Sequence, residues 1–221
     1  MSVIFIDLDD TLINTSERHY TVYKDILESF GVSTYLSKEE FWRLKRDGRK
    51  TVDLVPPSIP RDVFQSEWIE KIEDRCYLNL DKIIDGCHRV LSQLTEQGHK
   101  IVLVTLRQRK DNLFWELNKL GLTNYFDEII VGSTLHLKTK VPLIKRYLDM
   151  SILSSSIIVG DSEIDILTGK QLGIVTIAVM YGVRSLRFLK KYIPDFYLDH
   201  LSKLPKIISR IDIDSAYDSV R

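Results

Sequence analysis

Apolar residues recur along the chain in two rhythms. Five short runs are apolar without alternation: Val3 to Ile6, Ile101 to Val104, Glu128 to Val131, Ser156 to Val159 and Ile174 to Val179. Such runs suit strands buried on both faces, as in a parallel sheet. The segments between them carry helical spacing. Val90, Leu91 and Leu94 form a stripe closed by Gly98, and Leu113, Phe114, Leu117 and Leu120 form another closed by Gly121. Pro142 sits where a first helical turn tolerates it, ahead of Ile144, Tyr147 and Leu148, while Ile164, Leu167 and Leu172 precede Gly173. The alternation predicts an α/β fold with a doubly wound, five-stranded parallel, Rossmann-like core.

One stretch breaks the alternation. From about Asn14 to Asp81 there is no convincing buried strand, and the apolar positions read as helices instead. The candidates are Ser16 to Phe30, Lys38 to Arg46 and Val63 to Tyr77, with Val55-Pro56-Pro57-Ser58-Ile59-Pro60 separating the second from the third. The expected organisation is a core of residues 1–13 and 82–221 with a helical cap, residues 14–81, inserted after the first strand.

Composition narrows the partners. The 221 residues are 44% hydrophobic and 28% charged, with 31 basic and 31 acidic side chains in balance, so neither nucleic acid nor a membrane surface is expected as main partner. The basic runs Arg43 to Arg49 and Arg184 to Lys191 read as solvated helix faces. Cys76 and Cys87 lack C-x-x-C spacing and suit reduced thiols. The first strand starts at once and ends in acid, unlike a signal peptide or membrane span, so a cytoplasmic protein is expected. Oligomeric state is not legible.

In an open parallel sheet, ligands bind beyond the carboxyl ends of the strands. There the sequence places Asp7-Leu8-Asp9-Asp10-Thr11 after the first run, Thr105-Leu106-Arg107 after the second and Gly160-Asp161-Ser162-Glu163-Ile164-Asp165 after the fourth. Gathering Asp7, Asp9, Asp161 and Asp165 in one crevice requires a counter-charge, since like charges ~4 Å apart repel by about 4 kcal/mol near a protein surface. A hard divalent cation with oxygen ligands fits, and Mg²⁺ is the usual one where a phosphate shares the coordination sphere. Lys138 or Lys140, after the third run, supplies a second positive charge; the short step from Lys140 into the Pro142 helix favours Lys140. Carboxylates, metal, lysine and hydroxyl together describe phosphoryl transfer. As alternatives, Asp7 and Asp9 could be turn or helix-capping carboxylates, a role Asp10 and Thr11 could equally supply, and Asp161 could cap the helix starting near Ser162 with Asp165 an exposed residue. Of the histidines, only His19, at the start of the cap, is a candidate to line the site.

Asp7-Leu8-Asp9-Asp10-Thr11, Thr105, Lys140 and Gly160-Asp161-Ser162-Glu163-Ile164-Asp165, in this order and at these strand ends, resemble the four motifs of the haloacid dehalogenase superfamily. The helical insertion resembles its cap-bearing branch, which includes phosphoglycolate phosphatase and β-phosphoglucomutase. The resemblance implies that Asp7 attacks phosphorus to form an aspartyl-phosphate, and that Asp9 protonates the leaving oxygen and then activates water. It also implies that Mg²⁺ is held by Asp7, the Asp9 carbonyl, Asp161 and Asp165, and that Thr105 and Lys140 bind the phosphoryl group. The second motif departs from the family pattern at Leu106-Arg107, which leaves Arg107 either contacting the site or solvated. A mutase of this family typically has Gly and Val where this chain has Asp10 and Thr11, which favours hydrolysis. The expected activity is phosphatase action on a small phosphorylated metabolite, the alternatives being a phosphosugar mutase and a non-catalytic phospho-receiver module. Arg43, Arg46, Arg49 and Lys50 are the candidates for cap specificity, the alternative being plain surface, and Trp42, Trp68 and Tyr77 are expected to pack the cap.

Overall fold

A computed structural model describes residues 2–133, 138–147 and 156–218. Its centre is β1 (Val3–Ile6), paired in parallel with β4 (Lys100–Thr105) on one side and β6 (Ser156–Gly160) on the other. A strand with neighbours on both sides and helices above and below has every residue buried, which is why Val3 to Ile6 are continuously apolar. Successive side chains still alternate between faces. Ile4 and Ile6 join Ile101, Leu103, Ile157 and Val159 in one apolar cluster, whereas Val3 and Phe5 join Val102, Val104 and Ile158 in another. The first cluster is closed by α5 (Cys87–Glu96), α6 (Lys110–Lys119) and α9 (Leu204–Asp218), the second by Ile144 of α7 (Val141–Tyr147). Each fully buried Leu or Ile contributes about 1.5–3 kcal/mol relative to exposure.

The whole sheet is parallel, in the order β5 (Glu128–Val131), β4, β1, β6, β7 (Val175–Val179), β8 (Phe196–Leu198). It has one strand more than the sequence predicts, because β8 is only three residues long and carries too little pattern to register. α8 (Glu163–Leu172) lies between β6 and β7 and ends on Gly173, whose φ of +68° is the left-handed conformation glycine accepts freely. The strand order reverses beside β1, so the crevice opens above β1 with β4 and β6 as walls. Leu148 and His136 lie outside the described residues.

The inserted segment folds as α1 (Ser16–Ser29), α2 (Lys38–Arg46), α3 (Arg61–Lys71) and the short α4 (Arg75–Leu78). The expected third helix is thus two helices, broken near Ile72. These helices enclose an apolar cluster of their own, with Val22, Tyr23, Ile26, Phe41 and Phe64 at its centre. The chain leaves and re-enters the core through a two-stranded antiparallel ribbon, β2 (Ile13–Asn14) against β3 (Lys82–Ile83). Ile13 and Ile83 of this ribbon belong to the core cluster, not to that of the cap.

Candidate active site

Asp7 continues β1 by one residue, its N–H donating to the Val159 carbonyl at 3.0 Å. The chain then turns sharply: the N–H groups of Thr11, Leu12 and Ile13 all converge on the Leu8 carbonyl. Asp10 takes φ +57° in this turn, and its two oxygens accept from the Thr15 N–H (2.9 Å) and the Thr15 hydroxyl (2.7 Å). Aspartate tolerates the left-handed region because its short side chain can bond locally. A glycine would accept the same conformation, so the turn alone accounts for the backbone at Asp10.

Four predicted residues come together. The Lys140 ammonium donates to Asp7 at 2.6 Å and to Asp165 at 2.7 Å, and it is buried. One carboxylate oxygen from each of Asp7, Asp161 and Asp165 lies within 4.8 Å of the other two. Asp165 also accepts from the Ser162 N–H and hydroxyl, and Asp161 accepts from the Val183 N–H. Thr105, at the end of β4, lines the same cavity of about 240 Å³ together with Asp7, Lys140 and Asp161. Lys138 is exposed, so the choice between the two lysines falls to Lys140.

The electrostatics of this group are unbalanced. Burial raises the Asp7 carboxyl to about 7, with Lys140 opposing and Asp165 and Asp9 adding to the rise. Burial likewise pushes Asp161 well above the usual carboxylate range, helped by Asp10, Asp7 and Asp165. Three carboxylates face one ammonium, leaving two formal negative charges in the crevice. An all-oxygen donor set with that deficit fits a hard divalent cation such as Mg²⁺.

Asp9 is placed differently from the expectation. Its carboxylate turns away from the acidic trio and is taken by two arginines: Arg107 through Nε and Nη2, each 2.7 Å away, and Arg18 through Nη2 at 2.5 Å. Desolvation would raise its pKa, but Arg107 and Arg18 outweigh it and hold Asp9 at about 2. In this arrangement Asp9 can accept a proton but has none to give. Arg107, either contacting or solvated on the sequence, is a buried contact residue, and Arg18 at the start of α1 was missed altogether.

These two arginines continue into a buried network. Arg107 Nη2 also donates to Glu116 at 3.1 Å, and Arg18 Nε stands 3.2 Å from Asp81, close enough for an ion pair but not aligned for a hydrogen bond. Burial raises Asp81 to about 9, against the pull of Arg18 and with Glu116 adding to the rise. The signal for these groups was present as interruptions of apolar stripes. Arg18 stands four residues before Val22, and Glu116 stands between Leu113 and Leu117 on the buried face of α6.

From α2 of the cap, Lys45 also turns inward. It follows Phe41 by one turn, is buried, and its Nζ lies 2.5 Å from Nδ1 of His19. Burial lowers Lys45 to about 7, with Asp10 opposing and Arg184 and Arg18 lowering it further. His19 lines the site as anticipated, its imidazole held well below its usual range by burial, then by Lys45 and Arg18. Of the expected cap residues, Arg43, Arg49 and Lys50 are exposed. Arg46 instead anchors cap to core, donating to the carbonyls of Met180 (2.7 Å), Tyr181 (3.0 Å) and Gly182. Trp42 and Trp68 both stand edge-on to His19, and Trp68 also lines a cavity, while Tyr77 donates to Asp25 within the cap.

The haloacid dehalogenase-like hydrolase family model matches residues 3–179. The chain is 27% identical over 226 residues to the pyrophosphatase PpaX of Bacillus mycoides, covering 96% of this chain and 99% of that one. In structure it is similar to a predicted phosphatase from Clostridium acetobutylicum, with a TM-score of 0.76 at 23% identity over 95% of this chain and 98% of that one. It is also similar to the candidate HAD-hydrolase YfnB of Bacillus subtilis, a structure bound to magnesium, with a TM-score of 0.67 at 16% identity over 94% and 98% of the two chains.

Proposed function

The chain belongs to the haloacid dehalogenase-like hydrolases and is a phosphatase, and on that premise we propose that it hydrolyses a small phosphorylated metabolite through an aspartyl-phosphate on Asp7, with Mg²⁺. The observation that carries this reading is the cluster of Asp7, Lys140, Asp165 and Asp161 with Thr105 on one cavity above β1. An Asp7 oxygen attacks phosphorus as the bond from phosphorus to the leaving oxygen breaks. The leaving oxygen takes a proton from Asp9. Water then attacks the phosphorus of the aspartyl-phosphate, gives its proton to Asp9, and releases phosphate with Asp7 restored. Lys140 and Thr105 place donors where negative charge gathers on the phosphoryl oxygens.

The carboxylates of Asp7, Asp161 and Asp165, with the Asp9 carbonyl, would hold Mg²⁺, which when bound neutralises the phosphoryl oxygens and offsets the acidic excess. The magnesium in the YfnB structure and the all-oxygen donor set support that choice of ion. Asp9 must leave at least one arginine to serve as the acid. For this first step the present arrangement is not the reacting one.

A panel of phosphorylated metabolites that includes pyrophosphate, for which the PpaX relatives are named, tests the reading. Phosphate release that is abolished by EDTA, restored by Mg²⁺ and absent in Asp7→Asn is the expected result. Release that persists in Asp7→Asn overturns the assigned nucleophile.

A further inference from the structure

Beside the phosphoryl cavity, and sharing Asp9, His19 and Leu106 with it, lies a larger one of about 440 Å³ between cap and core. Arg18 and Arg107 line it from opposite sides of the cap–core junction, together with Gln65 and Trp68 of α3. Both guanidinium groups are buried, with side chains 1% and 3% exposed. Their acidic partners are of two kinds. Glu116 of α6 and the buried Asp81, which stands 3.2 Å from Arg18 and 3.8 Å from Arg107, have no part in the proposed reaction, whereas Asp9 is a residue that reaction needs elsewhere. The other acid at this cavity, Glu73, is spent on the N–H groups of Gln108 and Arg109 and offers the arginines nothing.

A buried guanidinium that loses its carboxylate leaves donors unpaired, which is costly unless another acceptor arrives. Here the need already exists before Asp9 moves: Nη1 of Arg107 has no hydrogen-bond partner among the described residues. Planar guanidinium groups match carboxylate and phosphate oxygens in pairs. The cavity lies next to the phosphoryl site, where the part of a substrate beyond the scissile bond would sit. We propose that this cavity seats a second acidic group of the substrate, a carboxylate or phosphate on the leaving side, which takes the place of Asp9 on Arg18 and Arg107. The inference rests on the phosphatase reading above and adds to it the class of substrate: a phosphorylated compound whose leaving group is itself an anion. Occupation of the arginines by that anion releases the Asp9 side chain toward the leaving oxygen. A substrate without the second anion leaves Asp9 where it is.

Non-hydrolysable analogues separate this subsite from the reaction. Binding of methylenebisphosphonate, phosphonoacetate and ethylphosphonate is measured by calorimetry at fixed Mg²⁺ on the whole protein. The first carries a distal phosphate mimic, the second a distal carboxylate and the third neither. The expected result is that one of the first two binds about 10- to 100-fold more tightly than ethylphosphonate, the worth of a hydrogen bond to a charged group. Whichever binds more tightly identifies the anion. The advantage should vanish in Arg18→Gln and return in part in Arg18→Lys, with folding of each checked by thermal melting. Equal binding of all three by the wild-type protein overturns the inference, as does an advantage that survives in a folded Arg18→Gln protein. If Arg18→Gln does not fold, the wild-type comparison alone decides. Failure to hydrolyse any compound in the metabolite panel would sink the phosphatase reading without touching this comparison.

Discussion

Lys140 holds two carboxylates together through a single ammonium group, so its removal costs twice. On the proposed mechanism the phosphoryl oxygens lose a donor, and Asp7 and Asp165 lose the charge that lets them lie close. Lys140→Met should lower kcat by about 10²- to 10³-fold, as for loss of other donors aimed at developing charge, and steady-state kinetics against Thr105→Ala would show it. A different residue sets part of the pH response of the fold. His99 is buried, accepts the Ser2 N–H on Nδ1, and has its pKa lowered below 6.5 by burial despite Asp212 nearby. A base that binds protons less well folded than unfolded takes one up on unfolding, so its share of stability is present above 6.5 and is lost as the pH falls below that value. His99→Gln should therefore melt with a shallower loss between about pH 7 and pH 5.5 than the wild type, and parallel curves would refute the assignment. Single residues also mark the limit of reading from sequence. Asp7, Thr105 and Asp161 were legible because each closes or follows a strand, and Lys140 because it stands directly before the Pro142 helix. Arg18, Lys45 and Glu116 were not, because a charge on an apolar stripe looks like a break in the pattern until its partner from a distant element is seen.

The end of β6 shows how a secondary-structure element aims a side chain. Gly160 is its last residue, and a Cβ there would stand 2.1 Å from Cγ of Asp165 and 2.6 Å from its Cβ. The first turn of α8 thus folds back over the strand it follows, and only a residue without a side chain permits it. Gly160→Ala should displace Asp165 from Lys140 and Ser162. A shift of that order costs about 10²-fold in kcat/KM and raises the Mg²⁺ needed for half-maximal activity; normal Mg²⁺ dependence would contradict the account. The long elements were legible because unbroken apolar runs and a 3.6-residue period leave different traces. α2 spans the expected Lys38 to Arg46, because Ser37 caps it, accepting the Glu40 N–H. Short elements escaped. β8 has three residues and the β2–β3 ribbon two per strand, so neither is long enough to repeat a pattern.

At the scale of the molecule, cap and core are joined on two fronts. On one, α2 grips the loop after β7 through Arg46, and Arg184 from that loop returns a hydrogen bond of 2.7 Å to the Lys45 carbonyl while pairing with Glu163. On the other, Arg18 of the cap meets Arg107 and Asp81 beside Asp9. Arg46→Ala removes three contacts to backbone carbonyls and should leave the cap less firmly seated. A KM higher by about 10-fold and faster hydrogen exchange at residues 180–185 are expected, in line with ~1.5–3 kcal/mol for hydrogen bonds to a charged group. Unchanged exchange there would show that Arg46 does not hold the two parts together.

The β2–β3 ribbon has a wider meaning. Its strands bring the chain's exit from the core and its return side by side, antiparallel, with Ile13 directly across from Ile83. An excursion whose two ends already touch adds little closure entropy whatever its length. Descent with modification could lengthen, shorten or replace everything between these strands without rerouting the sheet. The reaction would then be inherited as a fixed inheritance of the core, while recognition travels as a cassette on a two-residue latch.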